Sequence, residues 1–482
     1  MAASAGVGAI IRTSALASAV GLILTACTVG PNYKLPEGAM VNSHAANGGF
    51  VSGGDRSLTA TPLPPHWWHL YDDPVLDKLV TEALAANTDL RMANANLERS
   101  QALLRETKTL RQPVASVDAG VDYGQLAGEQ YLQPVTPPLN TYYEMEATIG
   151  YDLDLFGAIR RGIEAATADD EAVEAARNLV MVNVAAETAR AYANACGTGL
   201  QLAAARKSLS LQQESLHLTQ RLMGSGRAID LDVTRSRQVV DQLTAAIPSL
   251  EAGQRNALFR LATLTGRPPA QFDKDLENCA IPPRVSQPIP VGDGAALLKR
   301  RPDIREAERQ LAAATAEIGV VTAQLYPDIK LGIGAGSTGD RPTAFTSPTN
   351  FWSLGAILDW QANQNATRAR IAGARASAKL ALAHFDGVVL GALQDVETAL
   401  NTYVHDLERE ASTKAARDDA EKAAKEAEQL QLGGRATALA VVDAERTLAS
   451  AEQSLAQLEA TISNDQIAVF LALGGGWDTA ES

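Results

Sequence analysis

A short glycine turn occurs twice in this chain, each time between stretches that read as long helix, and it constrains the fold more than any other feature. The first copy is Gly226-Arg227-Ala228, followed by Leu231 and Val233; the second is Gly434-Arg435-Ala436, followed by Leu439 and Val441. The offset is 208 residues and holds without a gap as far as Gly266 and Gly474. Glycine adopts the left-handed conformation in which a helix most readily ends and reverses. The chain therefore carries two helical hairpins built as repeats, and any fold has to accommodate both.

The arms of these hairpins are unusually long. From Ala158 to about Met223 the pattern is one helix, weakened locally at Gly197 and Gly199. Roughly 65 residues at about 1.5 Å each make a rod on the order of 100 Å. The return arm carries Val240, Leu243, Ile247, Leu250, Ala257, Leu261 and Leu264, with Gln254 interrupting. That is a heptad seam. Pro248 is expected to bend it, and Gly266, Pro268 and Pro269 end it. The second hairpin runs from about Asn363 to Leu432 and returns through Leu448, Ala451, Leu455, Leu458, Ile462 and Val469.

Each hairpin is preceded by a helix and two segments of period two. Val75 to about Arg111 reads as a helix that Pro113 stops, and Pro327 stops its counterpart, which starts at Arg301. Val117, Ala119, Val121 and Tyr123 then alternate with Ser116, Asp118, Gly120 and Asp122. Tyr143, Met145, Ala147, Ile149, Tyr151, Leu153 and Leu155 alternate with Glu144, Glu146, Thr148, Gly150, Asp152 and Asp154. The second repeat alternates Ile329, Leu331, Ile333 and Ala335 with Asp328 and Lys330, then Trp352, Leu354, Ala356, Leu358 and Trp360 with Ser353 and Asp359. These are strands with one apolar and one polar face. A soluble sandwich has the same alternation, but a lone two-stranded hairpin is not stable. Segments of about ten residues, apolar outward and polar inward, fit a transmembrane barrel. Four strands cannot close one, so several chains are required, and cyclic symmetry supplies them most simply.

Composition removes other classes. Aromatic residues are 5% of the chain and the net charge is −14, which argues against nucleic acid as a partner. No GxSxG, phosphate loop or metal-spaced cysteine pattern occurs, so neither an enzyme nor a metal site is expected. His66 and His69 flank Trp67-Trp68 and read as packing residues. Cys196 reads as a small buried residue on a helix; its pairing with Cys279 in an oxidising compartment stays open. At the start, Arg12 precedes an apolar stretch, Ala15 to Leu24, too short to span a bilayer. Leu24-Thr25-Ala26-Cys27 resembles a bacterial lipoprotein signal, with Cys27 as the acylated first residue and Thr28 favouring the outer membrane. No cofactor is expected beyond that covalent lipid.

Several motifs occur in a fixed order: Cys27 with Val29-Gly30-Pro31-Asn32-Tyr33, Trp67-Trp68 with Asp73-Pro74, Tyr151-Asp152-Leu153-Asp154-Leu155-Phe156-Gly157, Arg301-Pro302-Asp303-Ile304, and Val442-Asp443-Ala444-Glu445-Arg446-Thr447-Leu448. Together they make the chain similar to the outer membrane factor (TolC-like) family, in its NodT-type lipoprotein subgroup serving resistance-nodulation-division efflux pumps. The resemblance implies an α+β fold. Four strands per chain would become a twelve-stranded barrel in a homotrimer, continued by a twelve-helix coiled-coil tunnel through the periplasm. The expected divisions are a signal peptide (1–26), an extended and equatorial segment (27–74), repeat 1 (75–266), an equatorial connection (267–300), repeat 2 (301–474) and a tail (475–482). Strands are expected near 114–126, 141–155, 328–337 and 351–361.

The same resemblance implies a passive outer-membrane efflux duct of a Gram-negative bacterium, docked to a periplasmic adaptor and an inner-membrane pump. Its periplasmic gate would use Leu439, Asp443 and Arg446, with Asp232 and Arg235 in the first repeat. Gly226, Arg227, Gly434 and Arg435 would meet the adaptor. Asp118, Asp122, Glu144, Glu146, Asp152, Asp154 and Asp359 would line the lumen and favour cations; alternatively they only keep it wet. One departure is Asn363-Gln364-Asn365-Ala366, where the family usually has a Phe-and-Gly turn. Competing readings are a type I protein-secretion duct and a periplasmic coiled-coil scaffold without a pore.

Overall fold

The computed structural model describes residues 28–125, 127, 134–340 and 345–476. In chain order its main elements are α1 (Pro74–Ala86), α2 (Thr88–Thr109), β1 (Val114–Gly124), β2 (Asn140–Asp152), α3 (Ala158–Gly224), α4 (Asp230–Leu264), α5 (Gly294–Arg300), α6 (Pro302–Ala323), β3 (Asp328–Gly339), β4 (Asn350–Asp359), α7 (Asn365–Leu432) and α8 (Ala438–Ala472). The outgoing helices α3 and α7 have 67 and 68 residues, and the return helices α4 and α8 have 35 each. Pro248 lies inside α4 without interrupting it.

The described residues fall into two compact units. One comprises residues 28–36, 98–172 and 307–384; the other comprises 37–97, 173–306 and 385–476. In the first unit the four strands form one antiparallel sheet in the order β1-β2-β3-β4. Its register sets Val117 opposite Ala147, Ile149 opposite Ile333, and Ile333 opposite Leu354. Directly opposed residues share a face, so the apolar alternation of all four strands forms one continuous surface. That surface is bare: Tyr123 is 73% exposed, Leu354 73% and Trp352 78%. A soluble sheet buries this face.

The lead-in segment of the same unit is pinned by Arg161, whose side chain is 3% exposed. Its guanidinium donates to the Val29 and Gly30 carbonyls at 3.1 and 3.2 Å, to Asn32 Oδ1 at 2.7 Å and to Glu164 at 2.7 Å. Gly30 has φ +86°, and a Cβ there would lie 2.5 Å from the Gly319 Cα. Tyr33 donates to Glu308 at 3.1 Å and lies under the Arg309 guanidinium. The Val29–Tyr33 motif is thus a docking strip, not a random coil.

The second unit has the large core. Trp67 stacks on Phe470 at 4.7 Å between ring centroids, among fully buried Leu76, Ile289, Leu400, Leu458 and Ile462. Asp73 caps α1, accepting from the Val75 and Leu76 amides, and its other oxygen takes the Tyr192 hydroxyl at 2.8 Å. His69 Nδ1 lies 2.9 Å from Asp77. Cys196 and Cys279 are joined by a disulfide.

Three sequence expectations are corrected here. The helix read from Val75 to about Arg111 is two helices. Buried Asn87 ends α1, caps α2 by accepting from the Asp89 and Leu90 amides, and donates to the Leu264 carbonyl. A polar side chain with two jobs breaks a run whose periodicity is otherwise unbroken. The α4 seam holds at its far end, where Leu261 and Leu264 are buried, and departs at its start: Val233, Ser236 and Val239 are buried there, whereas Val240, Leu243, Ile247 and Leu250 are half-exposed. The third concerns the ends of the strands, and with them Asp154.

Candidate functional site

The polar sheet face is built by the same register. Asp118 stands opposite Glu146, Glu144 opposite Gly120, Asp122 opposite Tyr142, Asp152 opposite Lys330, and Asp328 opposite Asp359. Strand alternation puts all of these on one face. Lys330 Nζ lies 3.5 Å from both Asp152 and Asp328, so the acids near it are partly neutralised, while among the described residues those around Asp118 and Glu146 pair with no such cation. Gly150, Gly332 and Gly355 pair in one row between these groups, and Phe351 and Ile357 of β4 also lie on this face.

Asp154 does not join them. β2 ends at Asp152, and the Asp154 carboxylate accepts from the Ile159 and Arg160 amides at 2.9 Å each and pairs with the Arg160 side chain at 3.1 Å. The first amides of a helix have no partner within it, and a carboxylate at that position satisfies them. Period-two alternation carries through Leu155 in the sequence and conceals this capping role. At the corresponding junction before α7, Gln364 donates to the Leu325 carbonyl at 2.9 Å, and Trp360 donates to the same oxygen at 3.1 Å. These bonds hold the junction without the usual Phe-and-Gly turn.

The hairpin tips share one backbone design. The Arg227 amide donates to the Leu222 carbonyl and the Gly226 amide to that of Met223; Arg435 and Gly434 repeat this with Leu430 and Gln431. Both glycines have φ +71°. This is the Schellman closure, which satisfies the last carbonyls of a helix and needs a left-handed residue. Arg227 and Arg435 are exposed on the two turns. Beyond them the tips diverge. In the second, Arg446 donates to Asp443 at 2.8 Å, both side chains are well exposed, and Leu439 is exposed one turn earlier. In the first, the Asp232 carboxylate accepts the Ile229 amide at 3.1 Å. Among the described residues Asp232 and Arg235 make no ion pair, and Asp232 serves as a helix cap. Cys27, the expected lipid site, lies outside the described residues.

A sheet that exposes its whole apolar face and carries acids on the other, in a chain with two very long helical hairpins, defines a membrane-channel subunit. The family model described as outer membrane efflux protein matches residues 79–267 and 295–475, and the chain belongs to that family. It is similar to nodulation protein T of Rhizobium leguminosarum bv. trifolii, 28% identical over 463 residues, covering 95% of this chain and 96% of that protein. It is also similar to the solvent efflux pump outer membrane protein SrpC of Pseudomonas putida, 29% identical over 470 residues, covering 96% of this chain and 98% of that one. Among solved structures, the outer-membrane channel OprN matches with a TM-score of 0.87 and 34% identity, covering 94% of this chain and all of that one. The chain is an outer-membrane efflux protein of the Gram-negative envelope.

Proposed function

We propose that three copies of this chain, anchored by a lipid on Cys27, close their sheets into a twelve-stranded barrel. The two hairpins of each copy then make a twelve-helix periplasmic tunnel, gated at its tips and docked there to an adaptor and an inner-membrane resistance-nodulation-division pump. One observation carries this reading: an antiparallel sheet with a bare apolar face and two unpaired edges, β1 and β4. Open edges invite pairing with another chain, and closure into a barrel removes them. Contiguous apolar surface of this extent marks a membrane or protein contact. The duct is passive, and its energy comes from the partners. Asp443, Arg446 and Leu439 form the gate, with Asp232 and Arg235 supporting the neighbouring tip. Gly226, Arg227, Gly434 and Arg435 present the turns to the adaptor.

The polar face becomes the lumen, where Asp118, Asp122, Glu144, Glu146, Asp152 and Asp359 are repeated by symmetry and favour cations. Outer-membrane fractionation followed by unheated gel electrophoresis tests the assembly. A trimer that dissociates only on heating is expected, and a monomer released by salt would refute the reading. Reversal potentials of single channels in a salt gradient test the lumen, and anion preference would refute that part.

A further inference from the structure

α8 carries an acid at every seventh position, Glu445, Glu452 and Glu459, and the series ends at Gln466. Seven residues are two helical turns, so these side chains share a face. Charges withdrawn from water need partners. Glu452 has them: its oxygens accept from Lys207 Nζ and Ser208 Oγ, both at 3.1 Å. Gln466 is neutral and bonds the Val285 backbone on both sides, at 2.9 and 3.0 Å. Glu459 lines a groove with Arg417 and Lys207.

Glu445 is the exception. α3 runs towards its tip as α8 runs away from the other, so one heptad tipward of Glu452 lies one heptad beyond Lys207-Ser208. The sequence there is Glu214-Ser215. Where the heptad register gives Glu452 a lysine, it gives Glu445 a second glutamate, which lines the same cavity. α3, α7 and α8 enclose a cavity of about 530 Å³ at this level. From α3 its charged lining is Lys207, Glu214 and Arg221; from α7 it is Glu421, Lys425 and Glu428; from α8 it is Glu445 and Glu452. Lys207 is taken by Glu452, and Lys425 by Glu421 at 2.7 Å. Arg221 is exposed at the end of α3 and makes no ion pair among the described residues. Glu445 Oε2 is buried with no hydrogen-bond partner among the described residues. Burial pushes the Glu445 carboxyl up to about 7; contacts with Ser215 and Gln212 pull it partway back, and Glu428 raises it further.

We propose that Glu445 is a proton-operated latch on the second hairpin. Protonated, it lets α8 pack against α3 and α7. Ionised, it gives its proton to water, repels Glu214 and Glu428, and loosens α8 beside Asp443 and Arg446. The latch rests on reading that tip as the gate. A carboxyl raised in the packed state stabilises packing fully below its ordinary range, and that stability is lost as pH rises through about 7. The tip is therefore held closed in mild acid and loosened in mild base.

The test uses the full-length trimer with a reporter independent of conductance. Val441 is 3% exposed and lines the cavity. Thiol labelling of Val441→Cys, taken relative to an exposed reference thiol at the same pH so that the thiolate's own titration cancels, should accelerate about fivefold or more between pH 6 and pH 8, as a group titrating near 7 passes from about 10% to about 90% ionised. Glu445→Gln should hold this relative rate at its slow value throughout. Glu214→Lys, which restores the missing cation, should do the same by pairing the charge. Asp465→Asn removes the other raised acid of α8, which burial and Asp406 lift to about 6, and should leave the profile unchanged. A relative labelling rate that is independent of pH, that keeps its pH response in both Glu445→Gln and Glu214→Lys, or that is flattened only by Asp465→Asn overturns the proposal. Planar-bilayer conductance of an Asp443→Ala, Arg446→Ala variant at pH 6 tests the gate separately. No increase there would sink the gate reading, while labelling still decides the latch.

Discussion

At the first tip Asp232 reaches back to the Ile229 amide; at the second Asp443 reaches forward to Arg446. The turns that carry them have the same glycine angle and the same pair of closing hydrogen bonds. At the repeat offset of 208, Asp443 aligns with Arg235, and Glu445 with Arg237. Backbone geometry was thus kept in both copies while the charges that follow it were exchanged. The second turn has Thr437 as its cap, accepting from the Ala440 amide at 3.3 Å, and Ala440 stands where the first turn has Asp232. The bases differ as well. Cys196 of α3 is bonded to Cys279 beyond α4, closing the first hairpin covalently. The second is held to the connecting segment by hydrogen bonds from Gln466 and Ser463 to Val285 and Pro283.

The largest expected break in this comparison comes from the disulfide. Its cysteines are 83 residues apart, and losing such a bridge costs roughly 2–5 kcal/mol. In a Cys196→Ala, Cys279→Ala variant, amide exchange should quicken in α3 and α4 and stay unchanged in α7 and α8. Equal quickening would mean that the two hairpins share one stabilising base. Next in size are the shared turns. A side chain held in the left-handed region costs about 1–2 kcal/mol, so Gly226→Ala and Gly434→Ala should lower thermal stability equally. A clear inequality would show that the turns are not equivalent.

The caps and ion pairs come last in stability and best separate the tips. Asp232→Ala should cost about 0.5–2 kcal/mol as a lost cap and leave closed-state conductance alone. Asp443→Ala with Arg446→Ala should cost only ~0.3–0.5 kcal/mol per exposed pair. Over the three subunits of the proposed trimer that is about 1–1.5 kcal/mol, enough for about a five- to tenfold rise in closed-state conductance. Bilayer recordings of both variants check this. Conductance that rises equally in both would make the gate symmetric between the repeats.

Much of the fold was legible in the sequence because it is periodic. Strand alternation placed Asp118, Glu146 and Asp152 on one face, and the register agrees. The polar face of β4 was less legible, since Phe351 and Ile357 interrupt it. Asp154 was misread because alternation does not reveal where a ladder stops and a helix begins to need its carboxylate. Arg161 gave no signal at all. It lies on a helix rich in Arg and Glu, and only the docked Val29–Tyr33 strip distinguishes it. The break at Asn87 was hidden because the apolar spacing persists across it.

The sequence by itself determined the two hairpins, the reversals at Gly226 and Gly434, and four strands with one apolar face. Each follows from the spacing of residues along the chain and from the backbone freedom of glycine, which are local properties. Only the tertiary structure decided which polar groups were spent on holding the fold. Asp232 and Asp154 became caps, Cys196 found Cys279, and the Glu445 carboxyl was buried within reach of Glu428. Those outcomes depend on which partner a distant helix brings within reach, and periodicity carries no information about that.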